Sequence, residues 1–412
     1  MKSTPVKGTA DYLPSQTLLR DYLQGVILDT YRAAGFERIL TPAIEDMENL
    51  EKSDGGDNLN LMFKILKRGE KLDAALQSGE VASLSDLGLR YDLTLPLSRF
   101  YANNRAKLLA PFKCIQIDKS YRAERPQKGR MREFVQCDID IIGSESPLCE
   151  LELIHTTAAA LLKLEIGSFT VKVNDRRVLR GVLRESGIAP EQMDTVCVSL
   201  DKWDKIGADG VMAELLEKGV APEAADQLKE LLTGEQSIEA LRGRCGEEEA
   251  LARLEQLIAD ANVLSGGAYR VAFDLLLVRG QGYYTGTVFE IQSDKFRGSI
   301  AGGGRYDGLV GKFTGENVPA VGFSIGFERI FQILESQGFS IPDRKKRAAV
   351  FASDDQGAEA VQLADRLRET GLEVSVLPRP KKLGKFLGKL EEQGFDGYLV
   401  CGEGEKVRWF EG

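Results

Sequence analysis

The clearest pattern along the chain lies between Phe134 and Ile142. Val135, Cys137, Ile139 and Ile141 alternate there with Phe134, Gln136, Asp138 and Asp140. A period of two predicts a β-strand with an apolar back and a front of carboxamide and carboxylates. Such a strand suits an antiparallel sheet whose open face holds a polar ligand. Residues 113–124, bounded by Pro111 and Pro126, predict a second strand. Residues 269–278 and 286–292, joined through a Gly/Tyr turn, predict two more. Helical spacing begins after Pro14 and Ser15 and runs to about Ala34, where Gly35 suits the positive φ of a helix end. The chain from Gly35 to Pro42 then reads as a turn into an extended segment. Residues 50–88 are polar, with Gly and Asp clusters, and predict a mobile loop region. Residues 324–336 predict a helix closing the domain.

The texture changes twice more. Residues 178–262 carry Ala, Leu, Glu and Lys at helical spacing with few aromatics, which predicts a helical insertion between two halves of the sheet domain. A linker at 338–347 contains Pro342 and a basic run from Arg344 to Arg347. Beyond it the rhythm is strand 348–352, helix 357–370, strand 372–377, helix 383–394 and strand 397–400. That order predicts a small α/β domain with a mostly parallel sheet. The expected fold is therefore α+β, with domain spans 1–177, 178–264, 265–337 and 343–412.

Composition narrows the function. Of 412 residues, 54 are basic and 63 acidic, a net charge of −9, so any RNA contact must rest on local basic patches. Six scattered cysteines, no CxxC and a single histidine, His155, leave too few ligands for a zinc site, and His155 reads as structural. Scattered cysteines, a polar N-terminus and the absence of an apolar run of membrane-spanning length predict a cytoplasmic enzyme.

The chain contains neither a Walker-type GxxxxGK[ST] nor a strand-borne GxGxxG, so arginines must hold any ATP phosphates. Residues 121–134, Tyr-Arg-Ala-Glu-Arg-Pro-Gln-Lys-Gly-Arg-Met-Arg-Glu-Phe, form a basic loop between strands, broken by Pro126 and Gly129. Guanidinium groups grip phosphate oxygens by paired hydrogen bonds and keep their charge. Arg279, in Val278-Arg279-Gly280-Gln281-Gly282-Tyr283-Tyr284, stands at the end of an apolar strand, where it meets either an anion or a buried carboxylate. Gly302-Gly303-Gly304-Arg305-Tyr306-Asp307 suits a backbone pressed against a ligand or a neighbouring strand, and Gly322 to Arg329 reads as a strand-to-helix turn.

Together these segments resemble the class II aminoacyl-tRNA synthetases, specifically the histidine–tRNA ligase family. Lys7-Gly8-Thr9-Ala10-Asp11-Tyr12-Leu13-Pro14 is similar to its N-terminal signature, 36–42 to motif 1, 121–134 to motif 2 and 319–329 to motif 3. Residues 279–284 and 302–307 resemble the two histidine-specific signatures. The resemblance implies an antiparallel catalytic sheet and adenylation of L-histidine by ATP with Mg²⁺. It also implies transfer to tRNA(His), and a homodimer through motif 1. It places Arg122 between the amino-acid carboxylate and the α-phosphate, and Glu124 near the adenine. Arg130 and Arg329 would meet the outer phosphates, and Arg279 the α-phosphate. Asp92, Thr94 and Gln136 would hold the ammonium; Asp140 and Tyr284 would read the imidazole, with Tyr306 lining that pocket. Gln127 lies in the loop that meets the tRNA acceptor end. Val135 departs from the histidine the family usually has there, while Asp140 and Tyr91-Asp92 resemble its eukaryote-like branch. The tail resembles a short version of the family's anticodon-binding domain. Arg379, Lys381, Lys382, Lys385 and Lys389 either meet phosphates or form a solvated face. A non-catalytic relative, the regulatory subunit of ATP phosphoribosyltransferase, is the alternative; the resemblance gives Arg279 as the residue that such proteins typically lose.

Overall fold

The computed structural model describes residues 1–51, 60–125, 130–278, 282–296, 298–404 and 406–410. An eight-stranded sheet dominates it. In spatial order it runs β1 (Glu37–Arg38), β5 (Phe112–Tyr121), β6 (Glu133–Ile142), β11 (Ala320–Gly326), β10 (Ser299–Arg305), β9 (Thr287–Ser293), β7 (Phe169–Asp175) and β8 (Arg270–Phe273). From β5 through β7 every pairing is antiparallel; only β1 and β8, at the edges, run parallel to their neighbours. The alternating strand sits near the middle as β6, its Asp138 flanked by Gln116 of β5 and Ser324 of β11. Val135, Cys137, Ile139 and Ile141 are buried, as the alternation requires.

The first helix, Pro14–Ala33, buries Leu23, Ile27 and Tyr31, spaced four apart on one face. It ends in a left-handed Gly35 at φ 80°, whose N–H reaches the Arg32 carbonyl. Helix Leu148–Lys163 buries Leu153, Ile154, Ala158 and Leu161. Each buried Leu or Ile among them contributes roughly 1.5–3 kcal/mol. Because β7 and β8 are parallel neighbours, a crossover must join them. The helices between Arg176 and Ser265 supply it.

Several expectations need correction. Within 50–88, residues 52–59 lie outside the described residues, and residues 60–88 are not a plain loop: β3 (Lys64–Leu66) and β2 (Ile44–Asp46) flank β4 (Ser85–Leu89), and helix Glu70–Ser78 lies between β3 and β4 in the chain. Two of these strands have only three residues, too short to show a period. Ser324 to Gly326 belong to β11, in register with Asp138 to Gln136, and the helix starts at Phe327. The strand expected over 269–278 is confined to Arg270–Phe273.

The residues divide into two units, Met1–Asp11 with Leu23–Gln337, and Tyr12–Tyr22 with Gly338–Gly412. The second contains a four-stranded sheet in the order β13 (Glu373–Pro378), β12 (Arg347–Ala352), β14 (Gly397–Val400), β15 (Arg408–Trp409). β12 pairs in parallel with β13 and β14, and β15 adds an antiparallel edge that its two residues did not advertise. Val350 and Ala352 pack with Leu363 and Ala364 of one helix, while Ala349 and Phe351 pack with Leu390 beside the other. One strand thus feeds two apolar layers by its alternation.

Candidate active site

The front of β6 faces a pocket of about 180 Å³ lined by Phe134, Gln136, Asp138 and Asp140 from this strand. Gly302, Gly303 and Gly304 of β10 and Gly322 of β11 line it further, together with Tyr283, Tyr284 and Tyr306. Glycine is required here by space: a Cβ on Gly322 would lie 1.9 Å from Asp140 Oδ1, and one on Gly304 2.9 Å from Tyr284 Cδ1. Tyr306 donates its hydroxyl hydrogen bond to Asp140 Oδ1 at 2.7 Å. The Tyr283 and Tyr284 rings meet edge-on with centroids 4.9 Å apart.

Arg90 organises the loop beside the pocket. Its buried guanidinium donates to the carbonyls of Lys119 (2.7 Å) and Thr41 (2.8 Å) and pairs with Asp118 (2.8 Å). Gln116 donates to the Leu93 carbonyl at 2.9 Å and accepts from Thr41. The loop so fixed presents Asp92, whose Oδ1 accepts from the Leu95 N–H at 3.2 Å and whose Oδ2 faces the Tyr283 hydroxyl at 3.5 Å. Arg122 donates from Nε to the Tyr91 carbonyl at 2.9 Å and stacks on Phe134 at 5.1 Å. Arg329, in the first turn after β11, is held by Ser299 through its carbonyl and its hydroxyl.

The pocket is electrically polarised along β6. Arg122 and Arg329 stand at the Phe134–Gln136 end, whereas Asp140 and Tyr306 stand at the other. At a rise of ~3.4 Å per residue, Gln136 and Asp140 are about 14 Å apart along the backbone. Burial pushes the Asp140 carboxyl up to about 7, against the pull of the Tyr306 hydroxyl and with help from Asp92. Burial raises Asp138 and Asp92 as well, and the negative charge of Asp140 adds to the effect at Asp138. Gln136 Oε1, Asp138 Oδ1 and Asp140 Oδ2 are buried acceptors with no hydrogen-bond partner among the described residues. Unsatisfied buried acceptors are costly. A ligand rich in N–H donors satisfies them.

Of the site residues expected from the sequence, Thr94, Arg122, Gln136, Asp140, Tyr284, Tyr306 and Arg329 line this one pocket. Asp92 is buried behind it, joined through Tyr283. Glu124 and Arg130 do not line it; they form an ion pair with each other at 3.6 Å. Arg279 and Gln127 lie outside the described residues. Asp138, Tyr283, Ser299 and Ser324 were not singled out, although Asp138 shares the alternation that identified Gln136 and Asp140. Arg305 serves elsewhere, its guanidinium paired with Glu150 at 2.7 and 2.8 Å. His155 is exposed on helix Leu148–Lys163.

Residues 8–330 match the family model described as histidyl-tRNA synthetase. The chain belongs to the histidyl-tRNA synthetase family. It is 42% identical to a histidine–tRNA ligase of Leifsonia xyli subsp. xyli over 411 residues, 96% of this chain and 94% of that protein. Its fold matches the crystal structure of histidyl-tRNA synthetase from Nostoc sp. PCC 7120 with a TM-score of 0.78 and 28% identity, covering 97% of this chain and 91% of that one. A structure from Bacillus halodurans C described as an ATP phosphoribosyltransferase regulatory subunit/histidyl-tRNA synthetase also gives a TM-score of 0.78. It covers 97% of this chain and 98% of its own, but at 22% identity that likeness speaks to fold alone.

Proposed function

We propose that this chain activates L-histidine with ATP and transfers the histidyl group to the 3′ end of tRNA(His). The observation that carries the reading is the polarised pocket along β6, arginines at one end and unsatisfied acceptors along the rest. Family membership supplies the reaction. The histidine carboxylate attacks the α-phosphorus of ATP and pyrophosphate leaves. A ribose hydroxyl at the tRNA terminus then attacks the adenylate carbonyl, and AMP leaves.

In this reading Asp92, Thr94 and Gln136 take the ammonium, while Asp140 and Tyr284 read the imidazole, with Tyr306 lining that pocket. Arg122 spans the substrate carboxylate and the α-phosphate, and Arg329 and Arg130 meet the outer phosphates, with Glu124 near the adenine. From the sequence, Arg279 stabilises the charge that builds on the α-phosphate, and Gln127 meets the acceptor end. Mg²⁺ comes as a companion of the ATP phosphates, because it keeps its waters and seldom needs a protein cage. Among the described residues no group of three or more His, Cys, Asp or Glu could hold a metal ion.

A homodimer through residues 36–42 is part of the proposal, supported by the exposed Leu40 and Ile44 around Pro42. Sedimentation showing only a 45.3 kDa species at micromolar concentration would remove it. The domain spans assigned from the sequence, with 343–412 as an anticodon-binding-like domain, and a cytoplasmic location complete the reading. No helix among the described residues is long and apolar enough to cross a membrane. Histidine-dependent exchange of pyrophosphate into ATP tests the function. Exchange absent from folded protein would return the regulatory-subunit alternative.

A further inference from the structure

The reading above leaves Asp138 without a task, yet it lies in the middle of the pocket face. It is almost wholly buried and sits on β6 between Gln136 and Asp140, all three side chains on one face. Gln136 Nε2 donates to Asp138 Oδ2 at 3.3 Å and to Ser324 Oγ at 3.4 Å. A side-chain amide is nearly symmetric in shape, so its orientation is chosen by its neighbours. Here the NH₂ group points at Asp138 Oδ2, which turns the carbonyl oxygen away. Gln136 Oε1 is that oxygen, buried and without a partner among the described residues; so is Asp138 Oδ1.

We infer that Asp138 is a positioning residue for the substrate ammonium, holding the Gln136 amide so that Oε1 faces the amine and presenting Oδ1 beside it. The inference rests on the proposed histidine site and assigns its amine end to a pair of residues rather than to Gln136 alone. Two features support it. The Asp138 carboxyl is raised by burial and by its neighbour Asp140, a state that an arriving cation relieves. Ser324 and Gln116 flank Asp138 across the sheet; the Ser324 hydroxyl engages both the Asp138 carboxyl and the Gln136 amide, while Gln116 is already committed to Thr41 and Leu93. Asp138 is therefore the carboxylate placed to orient the amide.

The test compares two inhibitors of histidine-dependent pyrophosphate exchange in the full chain. Histidinol keeps the amine and imidazole but lacks the carboxylate; imidazolepropionate keeps the imidazole and carboxylate but lacks the amine. Asp138→Asn should raise the inhibition constant of histidinol, and the KM for histidine, by about tenfold or more. It should leave imidazolepropionate within about twofold and the KM for ATP unchanged. The ratio of the two inhibition constants is the readout, so a variant with merely less folded protein leaves the ratio unmoved and counts against the inference. Equal weakening of both inhibitors overturns it, as does unchanged histidinol binding. Asp138→Ser is run in parallel, and failure of both variants to fold would make Asp138 a structural residue and overturn the inference too. Absence of exchange in the wild-type chain is a separate result, and it strikes the histidine site itself.

Discussion

Two buried charged clusters in the sheet domain are built on opposite principles. Around Arg305, charge is balanced inside the protein: Glu150 takes two of its N–H groups, Ser144 offers its backbone carbonyl, and Asp307 completes the set. Along the front of β6, polar groups are left unsatisfied, with Asp138 and Asp140 each keeping a buried oxygen without a partner among the described residues. Both clusters draw on the same glycine-rich stretch, since Arg305 and Tyr306 are adjacent and serve different pockets. The difference teaches how to tell scaffold from site. The Arg305 cluster satisfies its own polar groups, whereas the front of β6 leaves three clustered acceptors for a ligand to satisfy.

The largest effect should come from breaking the balanced cluster. Arg305→Ala strands Glu150 as a buried charge and should cost about 3–5 kcal/mol in denaturant unfolding. Activity should fall only with the folded fraction. In the unsatisfied cluster, Asp140→Asn should keep or raise stability while the KM for histidine rises about 10²-fold, because a site built on hydrogen bonds discriminates through them. Gly322→Ala probes the close approach of β11 to the acid: its Cβ would stand 1.9 Å from Asp140 Oδ1. Overpacking of this kind should destabilise by about 1–3 kcal/mol and weaken histidine binding together.

Legibility followed the same division. The back and front of β6 could be read from the alternation over residues 134–141, and the arginines of residues 121–134 from charge density alone. The sheet around β3 and β4 could not, because three-residue strands leave no period and their burial comes from distant partners. The start of the helix at Phe327 was misplaced because Gly322 and Gly326 resemble a turn, whereas the register with β6 holds them extended. Asp138 was visible in the alternation, but its open oxygen is a three-dimensional fact. Nor could the sequence show that Arg305, beside the pocket in chain order, is committed to Glu150 155 residues away.

A smaller effect concerns pH. Asp140 has a folded-state value raised from 3.8 to about 7, so the unliganded fold binds more protons than the unfolded chain between these values. Its contribution to stability is fully present below the unfolded value and is lost as pH rises toward about 7. Melting of the ligand-free protein should therefore decline over this window from this group, and Asp140→Asn should flatten that decline. The smallest effect lies in the second unit. Lys385 and Lys389 are exposed on helix Leu383–Glu392. Lys385→Glu with Lys389→Glu should leave pyrophosphate exchange unchanged and lower tRNA charging. The salt slope of charging should fall by about 1 for each phosphate that the helix no longer neutralises.

The central claim is that the acids on the front of β6 exist for a ligand and those around Arg305 for the fold. The most direct measurement takes unfolding free energy and the KM for histidine on the same preparations of Asp140→Asn and Arg305→Ala. The account predicts a crossed result: Asp140→Asn keeps its stability and loses histidine affinity, while Arg305→Ala loses stability and keeps the KM of its folded fraction. If Asp140→Asn instead destabilised the protein as much as Arg305→Ala and bound histidine normally, the front of β6 would be scaffold, and the account would be wrong.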